Sequence, residues 1–239
     1  MSSMFRSCSQ LTYLNLTGLN ISNVKSIDYM FYSCSSLTSL DINTFNTSNV
    51  ADMDYMFGNC KKMKNLNISS FNVSKVKNMA YMFVNCSLLS KLNLSNFDKT
   101  PVTTMSSMFS GCTMLSSLIL SNLNTPKLTS LSKLFYKCES LKEIYLPELI
   151  TSGVTTMRNM FYGCISLTSL NLSHFDTKKI TDMNQMFYDC YDLSYLNIDK
   201  FDTSKIIDMS YLFYECKSLT YLNLSNFDTK NVNNAEGMF

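Results

Sequence analysis

Short bursts of alternating apolar and polar residues punctuate the chain. Leu11, Leu14 and Leu16 form one burst, and Leu167, Leu170 and Leu172 form another far downstream. The last two residues of each set stand two apart, the spacing at which side chains share one face of an extended strand. One burst recurs every 26 residues without insertion, so the periodicity organises the whole sequence. Three to five residues of strand in every repeat, in register, predict a parallel sheet along one side of a solenoid.

A second apolar pattern follows each strand. Ser26, Asp52, Asn78, Thr104, Ser130, Thr156, Asp182, Asp208 and Asn234 occupy one column, and all are good helix N-cap residues. The residues after them, such as Met183, Met186 and Phe187, are spaced i, i+3, i+4, which predicts one to two turns of helix or 3₁₀ opposite the sheet. Between the two elements lies a turn such as Phe175-Asp176-Thr177, whose Asp and Thr can bind local backbone N–H groups. Each repeat delivers about seven inward side chains, which no unit buries alone but stacked neighbours can. The expected fold class is an α/β solenoid of about nine repeats over residues 1–239. It forms a single continuous array, uncapped at both ends and expected to be a segment of a longer chain.

Fixed columns carry the repeat. Phe5 begins a column that holds Phe at every period through Phe239. Three residues later stand Cys8, Cys34, Cys60, Cys86, Cys112, Cys138, Cys164, Cys190 and Cys216. In register the unit reads Cys-x-x-Leu-x-x-Leu-x-Leu, then Phe-Asn/Asp-Thr, then Met-x-x-Met-Phe before the next Cys. This pattern resembles the BspA-like leucine-rich repeats of surface proteins, in the 26-residue variant common in surface lipoproteins of unknown function. Leu141-Lys142-Glu143-Ile144-Tyr145-Leu146-Pro147 matches the parent Leu-x-x-Ile-x-Leu-Pro form. The chain departs from common leucine-rich repeats where an Asn ladder is usual. Phe or Leu stands there, as at Leu19, Phe45 and Leu123, and is expected to close the turn by packing. The resemblance implies a leucine-rich-repeat solenoid at the cell surface or secreted, acting as an adhesion or recognition scaffold without catalysis.

Composition narrows the function classes. Charged residues are only 16% of the chain, the net charge is +2, and the lysines are scattered, so no nucleic-acid footprint exists. No apolar run reaches the length of about 18 residues that a membrane span needs, and the N-terminus has no signal pattern. If the protein is exported, its signal lies outside this chain.

The nine cysteines suggest disulfides, a metal or a buried column. An odd count cannot pair fully, and a single file cannot converge on zinc. A ladder of buried, reduced thiols fits the apolar flanks best, with partial oxidation as the alternative. His174 is the one histidine, sits in a turn column, and forms no catalytic constellation with its neighbours. No cofactor is expected. Asp176, Asp202 and Asp228 share a column with Asp98 and, elsewhere, Asn20, Asn46 and Asn124, which suits turn capping, with calcium binding as the alternative.

Two outward columns of the strands are the candidate partner-binding face for a protein or glycan ligand. Their distinctive residues are Tyr13, Lys91, Ile119, Glu143, Tyr145, Tyr195 and Tyr221, concentrated around Ile119, Glu143 and Tyr145. Tyr136, Tyr162, Tyr188 and Tyr214 are expected as a second exposed row. A structural alternative is a subunit of a fibre, appendage or coat that associates end to end.

Overall fold

A computed structural model describes residues 1–97, 100–120, 125–146 and 149–239. Asp98, Leu123, Asn124 and Pro147 therefore lie outside the described residues. The chain coils into a solenoid with the 26-residue period, and its sheet is shorter than the alternation predicts. Among the described residues six strands are formed: β1 (Ser39–Leu40), β2 (Asn65–Leu66), β3 (Lys91–Asn93), β4 (Ser117–Ile119), β5 (Ser169–Asn171) and β6 (Tyr195–Asn197). They pair in parallel as β1 with β2, β3 with β4 and β5 with β6, and Glu143 makes a single bridge to Ser169. The cause of the brevity is local. In β3 the side-chain oxygen of Asn93 accepts the backbone N–H of Ser95 at 2.9 Å, which turns the chain away from the strand direction.

The expected helical turns are absent among the described residues, so the α/β class is corrected to strands and turns. The segment from Ile27 to Cys34 shows why. Met30, Tyr32 and Cys34 donate their N–H groups three residues back, to Ile27, Tyr29 and Phe31, at 3.1–3.2 Å. The alternate residues Tyr29, Phe31 and Ser33 donate forward to the next repeat, to Asp54, Met56 and Gly58, at 2.7–2.9 Å. A helix would consume every N–H within itself; this ribbon of tandem turns commits half of them to its neighbour. Left-handed backbone makes it possible. Tyr29 and Ser33 have φ of 54° and 60°, and both columns stay left-handed along the chain, as at Lys133, Lys137, Gly111 and Gly163.

The predicted capping column has another role. Residues Ser26 through Asn234 in that column are joined by an unbroken series of single parallel bridges, half a repeat from the strands. Their side-chain oxygens do accept backbone N–H groups two residues on, as Asp208 does from Ser210 at 2.8 Å. The cap is real, but it closes a turn in a ladder rather than opening a helix.

The core lies between ladder and strands. The Phe rings from Phe5 to Phe239 stack one on the next, with centroids 5.5–5.9 Å apart and planes within 21°. Offset stacking at this distance adds about 0.5–1.5 kcal/mol per pair beyond burial. Phe45, Phe71, Phe97, Phe175 and Phe201 fill the place of the usual Asn ladder and are buried. Their turns also carry hydrogen bonds, such as Phe45 N–H to Ile42 at 3.0 Å, so packing does not act alone. The buried Thr beside them links repeats. The Thr177 hydroxyl donates to the Asp202 carbonyl at 3.1 Å and accepts the Asp202 N–H at 2.7 Å.

Candidate binding face

The outward column that begins at Asn15 is largely a structural one. Asn15, Asp41, Asn67, Asn93, Asn171, Asn197 and Asn223 each accept the N–H two residues on, at 2.9–3.2 Å. These bonds end the strands, so the residues are turn caps rather than a neutral polar surface. Two positions break the rule. Ile119 and Tyr145 have no such oxygen, follow one another in the column, and are 46% and 79% exposed.

Neighbouring strands assemble the rest of the candidate face in part. Lys91 pairs with Ser117 and Asn93 with Ile119, while Glu143 bridges to Ser169, which pairs with Tyr195. Lys91, Ile119 and the pair Glu143 and Tyr145 therefore occupy three successive repeats on one exposed face, while Tyr195 lies beyond the intervening repeat of Ser169 and Asn171 and is followed by Tyr221. Tyr13 is exposed on the same column but three repeats before Lys91, so it is not brought to the patch.

The row from Tyr136 to Tyr214 is not an exposed strip. Its rings are half-buried and stacked at 4.5–5.0 Å, as are Tyr29, Tyr55 and Tyr81 at 4.4–4.6 Å. Their ring faces are closed by one another, leaving edges and hydroxyls outward.

The thiols from Cys34 to Cys190 are buried and form a single file, with Cys8 exposed and Cys216 partly buried at its ends. Each sulfur after Cys8 donates to the Phe carbonyl of the preceding repeat, as Cys112 does to Phe83 at 3.1 Å. Burial pushes the Cys112 and Cys164 thiols up to about 12, partly offset by these bonds. A thiol so protonated is a hydrogen-bond donor and not a nucleophile at neutral pH.

Asp176, Asp202 and Asp228 each use one carboxylate oxygen to accept the N–H two residues on, at 2.9–3.2 Å. The Asp228 carboxylate also meets Lys230 Nζ at 2.9 Å. Among the described residues no group of three or more His, Cys, Asp or Glu is placed to hold a metal ion. His174 Nε2 lies 2.7 Å from the Leu146 carbonyl and its ring stands edge-on to Phe175, so it ties one repeat to the one before.

Sequence reasoning missed the left-handed columns and the strand-end caps. The first was signalled by Gly111, Gly163, Asn59, Asn85 and Asn159, residue types that tolerate positive φ. The second was signalled by an Asn or Asp two residues before a turn, repeated at the period.

No curated protein is significantly similar to the chain in sequence. Among solved structures, a leucine-rich repeat protein of T. pallidum is 19% identical, covers 70% of this chain and 70% of its own, and has a TM-score of 0.48. One from Eubacterium ventriosum is 16% identical over 85% of this chain and 58% of its own, with a TM-score of 0.47. An internalin from Listeria monocytogenes is 16% identical over 74% and 61%, at 0.32. None of these comparisons indicates a catalytic family. A family described as "Mycoplasma protein of unknown function, DUF285" matches residues 1–121, 85–169 and 155–239, so the chain belongs to that family.

Proposed function

We propose that the chain is a non-enzymatic repeat scaffold, at the cell surface or secreted, that recognises a protein through the patch around Ile119, Glu143 and Tyr145. One observation carries this reading. Seven positions of the strand-end column carry a capping Asn or Asp, and two adjacent positions carry exposed, largely apolar side chains instead. At Tyr145 no cap is forgone, because Pro147 two residues on has no backbone N–H, and neither Ile119 nor Tyr145 is buried by the solenoid itself. An exposed apolar pair on an otherwise polar face suits the centre of an interface, where aromatic anchors dominate binding. The resemblance to BspA-like surface repeats supports the location and the adhesive role.

Tyr145→Asn tests it, because the substitution removes the anchor and, with Pro147 two residues on offering no backbone N–H, adds no cap. The purified variant is expected to unfold in urea within about 0.5 kcal/mol of the wild type, since Tyr145 is exposed. Against a panel of immobilised matrix proteins and glycans, wild-type chain should bind a protein, and the variant should bind it at least about tenfold more weakly. Binding that Tyr145→Asn leaves unchanged would remove the patch from the reading. The structural alternative would show as concentration-dependent end-to-end oligomers by light scattering, insensitive to the same substitution.

A further inference from the structure

The strand-end caps share a feature their structural role does not require. Four exposed caps head Asn-x-Ser/Thr triplets, Asn15-Leu-Thr17, Asn67-Ile-Ser69, Asn93-Leu-Ser95 and Asn171-Leu-Ser173, the acceptor pattern for N-linked sugar, and a fifth, Asn223-Leu-Ser225, is headed by a half-buried Asn. The cap needs only the backbone N–H of the third residue. Asp41 and Asn197 demonstrate this, closing the same turn onto Asn43 and Asp199, which have no hydroxyl. In the four triplets the hydroxyl is therefore superfluous to the turn, and it has no hydrogen-bond partner among the described residues.

The amide geometry agrees. Each of these four Asn is exposed, and its Oδ1 is held by the N–H two residues on. Its Nδ2 has no acceptor among the described residues. Asn49, Asn96 and Asn231, outside such triplets, instead spend Nδ2 on backbone carbonyls at 2.7–3.1 Å. The turn thus fixes the amide by its oxygen and presents its nitrogen to solvent, where a sugar can be attached without breaking a bond of the fold.

We infer that Asn15, Asn171 and one of Asn67 and Asn93 carry N-linked sugar, an inference that rests on the surface or secreted location proposed above. Asn67 and Asn93 face adjacent repeats, about 5 Å apart, which leaves room for one substituent. The reaction uses a polyprenyl diphosphate-linked sugar. The bond from its anomeric carbon to phosphate oxygen breaks, the carbon–Nδ2 bond forms, polyprenyl diphosphate leaves, and a carboxylate of the transferase takes the Nδ2 proton. Ile119 and Tyr145 fall between Asn93 and Asn171 in the column, so sugars there frame the patch and leave it bare.

The test weighs peptides from the chain isolated from its own cells, before and after enzymatic deglycosylation in heavy-oxygen water, which converts each formerly modified Asn into labelled Asp. Label is expected at Asn15 and Asn171. It should vanish at Asn15 in Thr17→Ala and at Asn171 in Ser173→Ala, with thermal unfolding unchanged because the backbone N–H remains. Unmodified Asn15 and Asn171 in the native protein overturn the inference. A second arm offers purified chain a lipid-linked oligosaccharide and an oligosaccharyltransferase. Transfer there, beside an unmodified native protein, overturns the inference through the proposed location; failure in both overturns it through the acceptor geometry and leaves the location standing.

Discussion

The turn ribbon and the strand face of each repeat are built on opposite terms. In the ribbon, Phe, Cys and the two left-handed positions recur in register, and the ladder from Ser26 to Asn234 is unbroken. On the strand face the pairing among the described residues comes in three strand pairs and one single bridge, and the outward residues vary. Uniform side chains allow uniform inter-repeat hydrogen bonds, so the ribbon acts as the spine. The strand face is left free to differ, and that is where a partner is distinguished from its competitors.

Substitutions can break this contrast. Phe135 is fully buried and stacked on both Phe109 and Phe161. Phe135→Ala is expected to cost about 3–5 kcal/mol in urea unfolding, whereas Tyr195→Ala on the strand face should fall within about 0.5 kcal/mol. Equal effects would end the distinction between spine and display.

Left-handed positions sharpen it. Gly163 has φ of 68°, and an added Cβ would lie 3.2 Å from Lys137 Cγ. Gly163→Ala is expected to destabilise by about 1–2 kcal/mol. Lys137→Gly, at φ of 56° in the same column, should stabilise by somewhat less, about 1 kcal/mol, because glycine also gains freedom when unfolded. Opposite signs in the two melts would establish the ribbon as tandem turns; a helix predicts that Lys137→Gly destabilises.

A comparably small effect is electrostatic. Burial pushes the Asp54 carboxyl up from 3.8 to about 6, and the charges of Asp52 and Asp28 add to it. The folded state therefore holds this proton more tightly than the unfolded state. Stability from this group is greatest below about pH 4 and falls as pH rises to about 6. The full shift corresponds to about 3 kcal/mol, which solvent screening at this half-buried site reduces to about 1 kcal/mol. Asp54→Asn should flatten that part of the stability-against-pH curve, measured by urea unfolding at pH 4 to 7. A curve unchanged by the substitution would place the titration elsewhere.

The period, the Phe and Cys columns and the inward leucines were legible because buried positions are held fixed by packing. The helix was misread for a definite reason. Met183, Met186 and Phe187 at i, i+3, i+4 fit a helical stripe, yet tandem three-residue-back turns bury the same spacing. Periodicity reports which residues go inward and not the sign of φ between them; Gly111 and Gly163 held that information. On the candidate face, Ile119 and Tyr145 were legible as exceptions. That their neighbours are caps was not, since an outward Asn on a strand looks the same whether its oxygen meets water or its own backbone.

The equal stacking of Phe57 on Phe31 and of Phe135 on Phe109, at 5.7 and 5.6 Å, makes one repeat interchangeable with another. A gene for such a chain can be lengthened or shortened by whole repeats, through duplication or loss, and each new junction inherits a seat that already fits. Any other increment carries Phe, Cys and cap columns out of line at once. Over generations the reach of the molecule is thus free to drift, while its reading frame in space is not.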